Sequence, residues 1–248
     1  MEIEGCCAIV TGGNRGIGEG FVVELLAQGA ARVHVGSRDP KNAEHLKAID
    51  PNRINIIALD VANAEQIAAA AQVCGDVSLV VNNAGIFTSQ ALLGAPDMSA
   101  MRDEMNVNFF GMIAMTRAFA PIIEANGGGA FANVLSVGGI VAVPEMGGYS
   151  PSKFAARAAS NCLRAELAPK NIHVASLIVG SVKTRMAEHV KGLDQAEPRD
   201  IAKAGIHAVT HKIDEHDTDP HAIRIRAALA RDPAALAKYL AGGVGAAR

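Results

Sequence analysis

Cys6-Cys7-Ala8-Ile9-Val10-Thr11-Gly12-Gly13-Asn14-Arg15-Gly16-Ile17-Gly18 runs from a short apolar stretch, through a glycine cluster, into helix-forming sequence. A strand that turns directly into a helix presents bare backbone N–H groups at the helix N-terminus. There the helix dipole favours negative charge. Glycine permits the tight turn, the close approach of a phosphate, and the packing of helix on strand. The glycine spacing is three residues and then one, unlike the G-x-G-x-x-G of other dinucleotide folds. From its position between a first strand and a first helix, the stretch is expected to bind a nucleotide. Gly12, Asn14, Arg15, Gly16, Ile17 and Gly18 would be its phosphate-facing residues.

The rest of the chain repeats that alternation. Cys6–Val10, Ala31–Gly36, Arg53–Ala58, Val77–Val81, Gly129–Leu135 and Ile172–Ile178 are compact apolar runs bounded by Gly, Asn or Asp. Between them, Gly18–Gln28, Ala64–Cys74, Ala100–Ile123 and Pro151–Leu167 show helical spacing. Short strands buried on both faces and separated by helices predict an α/β fold: one Rossmann-like, doubly wound parallel sheet of six or seven strands flanked by helices. An eight-stranded α/β barrel fits the length, but only six strands are convincing. After Ile178 the pattern stops. Residues from about 183 to 220 are rich in Asp, Glu and His and predict a polar lid. Helices are expected over Ala222–Ala230 and Pro233–Leu240, and fraying from Gly242 to Arg248. Residues 1–248 are read as one domain.

With 23 Lys and Arg against 25 Asp and Glu, the formal charge is −2. That excludes a general electrostatic pull on nucleic acid or an anionic membrane. The absence of Trp and the two Tyr argue against base-stacking platforms. Ala125–Pro144 is 20 uncharged residues, but five Gly and two Asn make it a strand and loop, not a membrane span. Cys6, Cys7, Cys74 and Cys162 form no C-x-x-C pair and read as small buried thiols of a reduced, cytoplasmic protein. The acidic start, Met1-Glu2-Ile3-Glu4, is no signal peptide.

The second strand ends in Ser37-Arg38. NAD sites usually carry a carboxylate there for the ribose 2′-hydroxyl. A guanidinium suits a 2′-phosphate instead, and Arg15 would flank it. NADPH is therefore the expected cofactor, with NAD as the alternative because Asp39 follows. Tyr149-x-x-x-Lys153 opens a helix at Pro151, with the two side chains one turn apart on one face. An ammonium about 5 Å from the phenol, at an effective dielectric of about 20, would favour the phenolate by roughly 3 kcal/mol, about 2 pKa units. Such a phenol suits general acid/base work.

In this combination the chain resembles the short-chain dehydrogenases/reductases. Its marks run from Cys6 to Met186: Thr11-Gly12-x3-Gly16-Ile17-Gly18, Asp60-Val61, Asn82-Asn83-Ala84-Gly85, Asn108, Ser136 and Tyr149-x3-Lys153. The resemblance implies that Tyr149 exchanges a proton with a carbonyl or alcohol oxygen, and that Ser136 hydrogen-bonds that oxygen. It implies that Lys153 holds the nicotinamide ribose and tunes Tyr149, and that Asn108 binds a water linking Lys153 to solvent. Asp60 and Val61 would meet the adenine, and Asn82, Ala84 and Gly85 would lie over the cofactor. Gly180, Val182 and Thr184 match the segment that meets the nicotinamide amide, although Val179 stands where the family usually has Pro.

The resemblance puts the substrate pocket among segments carrying Phe87, Val137, Pro144, Met146 and Met186, so a hydrophobic ketone or secondary alcohol is expected. Glu145, in the same stretch, reads as a solvent-facing loop residue. No seventh strand ending in Asp-Gly-Gly is found, which leaves the family's usual tetramer in doubt. A homodimer through Ala100–Ile123 and Pro151–Leu167 fits, and a homo-oligomer, dimer or tetramer, is expected. A 3-ketoacyl reductase and an NAD-dependent secondary-alcohol dehydrogenase are the nearest alternatives. A non-enzymatic nucleotide sensor would lack one of Ser136, Tyr149, Lys153 or Asn108. Extended sugar epimerases usually need a longer C-terminal domain. His207 and His211 are four apart, a chelating spacing on a helix. Because the implied chemistry needs no metal, none is expected.

Overall fold

The computed structural model describes residues 1–188 and 194–242. Its strands are β1 (Cys7–Thr11), β2 (Arg32–Ser37), β3 (Ile54–Ala58), β4 (Leu79–Asn82), β5 (Gly129–Val134), β6 (Ile172–Ile178) and β7 (Glu215–Asp217). They form one sheet in the order β3-β2-β1-β4-β5-β6-β7, and every pairing is parallel. The chain winds outward from β1 to β3, then returns to the other side of β1 with β4. The crevice at that reversal, outside the carboxyl ends of β1 and β4, is where such sheets take ligands.

Alternation along each strand sorts the core into two layers. Ala8, Val10, Val33, Val35, Leu79 and Val81 face α1 (Gly16–Ala27) and α6 (Pro198–Thr210), whose Phe21, Leu25, Ile201 and Ile206 are buried on them. Ile9, Val80, Phe131 and Val174 face the other way, towards Ile67 of α2 (Ala64–Val73) and Phe119 and Ile123 of α4 (Met112–Ala125). Burying each large side chain contributes roughly 1.5–3 kcal/mol. Before α4 come α3 (Ser99–Met105) and one wide π turn (Asn106–Gly111), so the helix expected over Ala100–Ile123 is three pieces. The remaining helices are α5 (Tyr149–Leu167), α7 (Pro220–Arg231) and α8 (Pro233–Gly242).

The polar stretch from about 183 to 220 differs from the expected lid. Pro198–Thr210 is a packed helix: Ile201, Ala202, Gly205, Ile206, Ala208 and Val209 are buried. A Cβ on Gly205 would stand 2.5 Å from the Phe21 ring, so α1 and α6 meet closely at that glycine. One apolar face at helical spacing was masked by the charges opposite it. Glu215–Asp217 is the seventh strand, pairing with Ser176–Ile178. It carries no apolar run because its charges are met from neighbouring helices: Arg157 lies 2.6 Å from Glu215 and Arg226 2.7 Å from Asp217. The covering segment shrinks to residues 184–188 and 194–197. Within the expected lid, residues 189–193 lie outside the described residues, as does the expected frayed end beyond Gly242.

Among the described residues no helix is long and apolar enough to cross a membrane. Cys6 and Cys74 are buried, and burial pushes both thiols up to about 12. Cys162 is exposed, contrary to expectation, because it lies on the outer face of α5.

Candidate active site

The glycine loop is clamped between two strand ends. Thr11 Oγ accepts from the backbone N–H groups of Asn83 and Ala84, both at 3.0 Å, and donates to Val81 O at 3.3 Å. Asn83 Nδ2 donates to the carbonyls of Thr11 at 2.9 Å and Gly12 at 3.1 Å. Gly12 and Gly16 have φ of 61° and 57°, the left-handed region where a side chain is strained. A Cβ on Gly18 would stand 2.3 Å from Gly12 O, so this glycine serves helix-on-loop packing and does not itself face the cleft.

A cavity of about 1070 Å³ opens over this loop. Of the residues the sequence singles out, Gly12, Asn14, Arg15, Gly16, Ile17, Arg38, Asp60, Val61, Ala84, Gly85, Ser136, Tyr149, Lys153, Gly180, Val182 and Thr184 line it. Most of them follow closely on the ends of β1 to β6, and Tyr149 and Lys153 sit in the first turns of α5, which brings residues far apart in sequence to one edge. Arg15 and Arg38 are exposed and form no ion pair with any described residue. Asp39 turns away: its carboxylate accepts from Lys41 N at 3.1 Å and Asn42 Nδ2 at 3.4 Å, capping the helical turn that follows. The cradle thus offers two uncommitted guanidinium groups and no opposing carboxylate at the end of β2, a set that fits a 2′-phosphorylated dinucleotide. Ser37 is buried and donates to Asp39 O at 2.8 Å, holding this corner from behind.

At the other end of the cavity, α5 begins with Tyr149. Its ring lies edge-on to Phe87, with centroids 5.1 Å apart, and 5.7 Å from Lys153 Nζ. The Lys153 ammonium is buried and donates to Val134 O at 3.0 Å. Burial lowers its pKa from 10.5 to about 8. The Tyr149 phenol moves the other way from the sequence-based expectation. Burial raises it, a hydrogen bond with Ser136 lowers it, and the charge of Glu104 raises it. Loss of water outweighs the Ser136 bond, and the Lys153 cation is turned onto a backbone carbonyl.

Besides Gly18 and Ser37, the expected residues Asn82 and Asn108 do not line the large cavity. Asn82 Nδ2 donates to Asn133 Oδ1 at 2.8 Å, while its own Oδ1 is buried without a partner. It faces a small internal cavity of about 10 Å³, shared with Asn108 and Lys153. That is about the volume one water needs. The Asn108 side chain is committed: Oδ1 accepts from Ile86 N at 2.8 Å, and Nδ2 donates to Ile86 O and Ser152 Oγ, both at 3.0 Å. It ties the segment after β4 to α5, and both N–H groups of its amide are spent in doing so.

On the substrate side, Phe87 and Met186 line the large cavity, whereas Val137, Pro144 and Met146 do not. Glu145 is exposed. The turn at Val179-Gly180 is held from outside, because buried Asp219 accepts from Gly180 N at 2.7 Å as well as from His221 and Ala222 N at 3.0 Å. Sequence reasoning missed Asp219, Glu104 and the separate clamp role of Asn83. Only the Asp-Pro start of α7 signalled any of them.

His207 and His211 stack with ring centroids 4.0 Å apart, and His216 lies 6.0 Å from His207. Among the described residues, no group of three or more His, Cys, Asp or Glu side chains is arranged to hold a metal ion.

Residues 6–194 match the family model described as short chain dehydrogenase. An uncharacterized oxidoreductase of Bacillus subtilis, YusZ, is 34% identical over 71% of this chain and 65% of its own length. Dehydrogenase/reductase SDR family member 7B of Xenopus laevis is 28% identical over 75% of this chain and 61% of its own. The chain therefore spans under two thirds of these relatives. Among solved structures, a short chain dehydrogenase from Burkholderia cenocepacia J2315, in complex with NADP, is 39% identical. It superimposes with a TM-score of 0.90 over 97% of this chain and 99% of that one.

Proposed function

The chain belongs to the short-chain dehydrogenase family, and from that premise we propose that it is an NADPH-dependent oxidoreductase interconverting a ketone or aldehyde with its alcohol. The observation that carries the reading is the convergence of Ser136, Tyr149 and Lys153 with two uncommitted arginines on one cavity. Gly12, Asn14, Arg15, Gly16 and Ile17 would hold the pyrophosphate, Arg15 and Arg38 the 2′-phosphate, and Asp60 and Val61 the adenine. Ala84, Gly85, Gly180, Val182 and Thr184 would surround the nicotinamide half. When bound, the cofactor supplies or takes up the two electrons and the hydrogen at carbon.

The protein's own part is proton transfer and orientation. In reduction, Tyr149 Oη gives its proton to the substrate oxygen, and Ser136 Oγ donates a hydrogen bond to the same oxygen as charge develops. A phenol kept protonated by burial suits that direction. Lys153, buried beside the ring, offsets the phenolate charge left behind. The one-water cavity between Asn82, Asn108 and Lys153 would return the proton. Phe87 and Met186 favour an apolar substrate.

The NADP-bound B. cenocepacia relative supports the cofactor assignment. The reverse reaction on a secondary alcohol with NAD is the second reading, and a 3-ketoacyl substrate the third. A homodimer through α4 and α5 is proposed, since Phe110 and Phe154 are exposed on that side. Titrating wild type and Arg38→Asp with NADPH and NADH tests the cofactor assignment. Loss of a charge-assisted contact should weaken NADPH about 10- to 100-fold, with NADH unaffected or improved. Equal weakening of both cofactors would contradict it.

A further inference from the structure

Glu104, on α3, is 1% exposed. Its Oε1 accepts from Thr88 N at 2.7 Å and from Thr88 Oγ at 2.9 Å. Its Oε2 is buried with no hydrogen-bond partner. That second oxygen lies against the start of α5: a Cβ built on Gly148 would stand 2.3 Å from it. Gly148 is the residue before Tyr149, and α5 has no side-chain cap at its N-terminus. Thr88 follows Phe87, whose ring lies against Tyr149. One carboxylate thus joins the two segments that carry the walls of the phenol site.

We propose that Glu104 is a positioning residue of the active site: its carboxylate fixes the Phe87-Thr88 segment against the start of α5, and with it the walls around the Tyr149 phenol. The inference rests on Tyr149 as the proton-transfer group. An unsatisfied carboxylate oxygen in the interior is costly unless something favourable faces it. Here that is the positive end of a 19-residue helix. The charged groups facing the phenol are Lys153 from α5 and Glu104 from α3, with Ser136 as its neutral hydrogen-bond partner. On Glu104's own helix Arg102 and Asp103 are exposed, and Asp103 lines the open cavity that Tyr149 also lines. Lys153 is turned onto Val134 O, so Glu104 faces the phenol less opposed than pairing with an ammonium would leave it.

The chain has two Tyr and no Trp, and the second, Tyr239, is 77% exposed. In a Tyr239→Phe background, near-ultraviolet absorbance therefore reads ionisation of Tyr149 alone, without a substrate. Adding Glu104→Gln keeps an acceptor for Thr88 and removes the charge. The Tyr149 ionisation should move down by about half a pH unit or more. Glu104→Asp, which keeps the charge, should leave it near wild type. Circular dichroism at each pH defines the folded range for every variant. Curves that superimpose for Glu104→Gln, or an equal shift in Glu104→Asp, would overturn the proposal. In turnover, the alkaline limb of carbonyl reduction should fall with the absorbance midpoint in Glu104→Gln. Full turnover by Tyr149→Phe would instead remove the proton-transfer reading, leaving the absorbance result to speak for Glu104 alone.

Discussion

The two halves of the cavity are held in different ways. At β1 and β4, Thr11 and Asn83 make a closed set of buried or half-buried bonds around the glycine loop, and glycines at 12, 16 and 18 leave no slack. Across the cavity, the segment after β6 is fastened at a buried root and by contacts along its rim. Asp219 anchors the turn at Gly180, and beyond it come one backbone bridge, Val182 to Ala196, and an exposed Lys183–Glu197 pair. The glycine-loop side is preorganised. The side after β6, which by our proposal meets the nicotinamide half of the cofactor and, through Met186, the substrate, is anchored at its root and lightly tied at its rim.

The sharpest way to break that contrast is on the rigid side. Gly18→Ala puts a methyl group 2.3 Å from Gly12 O. It should destabilise the protein by about 3 kcal/mol and abolish cofactor binding, as read by thermal denaturation with and without NADPH. Asp219→Ala removes the root of the opposite wall and leaves three backbone N–H groups without their acceptor. It should cost about 2 kcal/mol and raise KM for the carbonyl more than Kd for the cofactor. A larger effect on the cofactor would erase the distinction.

Lys153 sharpens the comparison through pH. Its pKa is about 8 in the folded protein and 10.5 when free. Between these values the unfolded chain binds more protons, so stability gains from this residue as pH rises from 8 towards 10. Below pH 8 both states are protonated and the slope vanishes. Relative to Lys153→Met, wild type should gain about 2 kcal/mol over that window, near 4–8 °C in melting temperature. Parallel curves would mean that the buried amine is less desolvated than its surroundings imply. The smallest effect belongs to the rim: Lys183→Ala should leave the melting temperature within about 1 °C, since exposed pairs contribute little.

Six strands were legible because each is a short apolar run buried on both faces. Glu215-His216-Asp217 was not, because an edge strand whose charges are answered by Arg157 and Arg226 has no apolar signature. The buried face of α6 was present as Ile201, Ala202, Ile206 and Val209, but Arg199, Asp200, Lys203 and His207 on the opposite face suggested a lid. At the site, residues in fixed motifs landed on the cavity where spacing put them. What sequence did not carry was orientation. Asn82 turns to an internal cavity, and Asn108 spends its amide on Ile86 and Ser152. Glu104 stands in the polar run Arg102-Asp103-Glu104, where nothing distinguishes the one inward carboxylate from its solvated neighbours.

The central claim is that Tyr149 transfers the proton in an NADPH-dependent carbonyl reaction. It is tested most directly by following NADPH oxidation with a panel of apolar ketones and aldehydes, wild type against Tyr149→Phe. Loss of the positioned acid should lower kcat about 10²- to 10⁴-fold while cofactor affinity is retained. Turnover by Tyr149→Phe at the wild-type rate, with the same carbonyl and the same cofactor, would contradict the account.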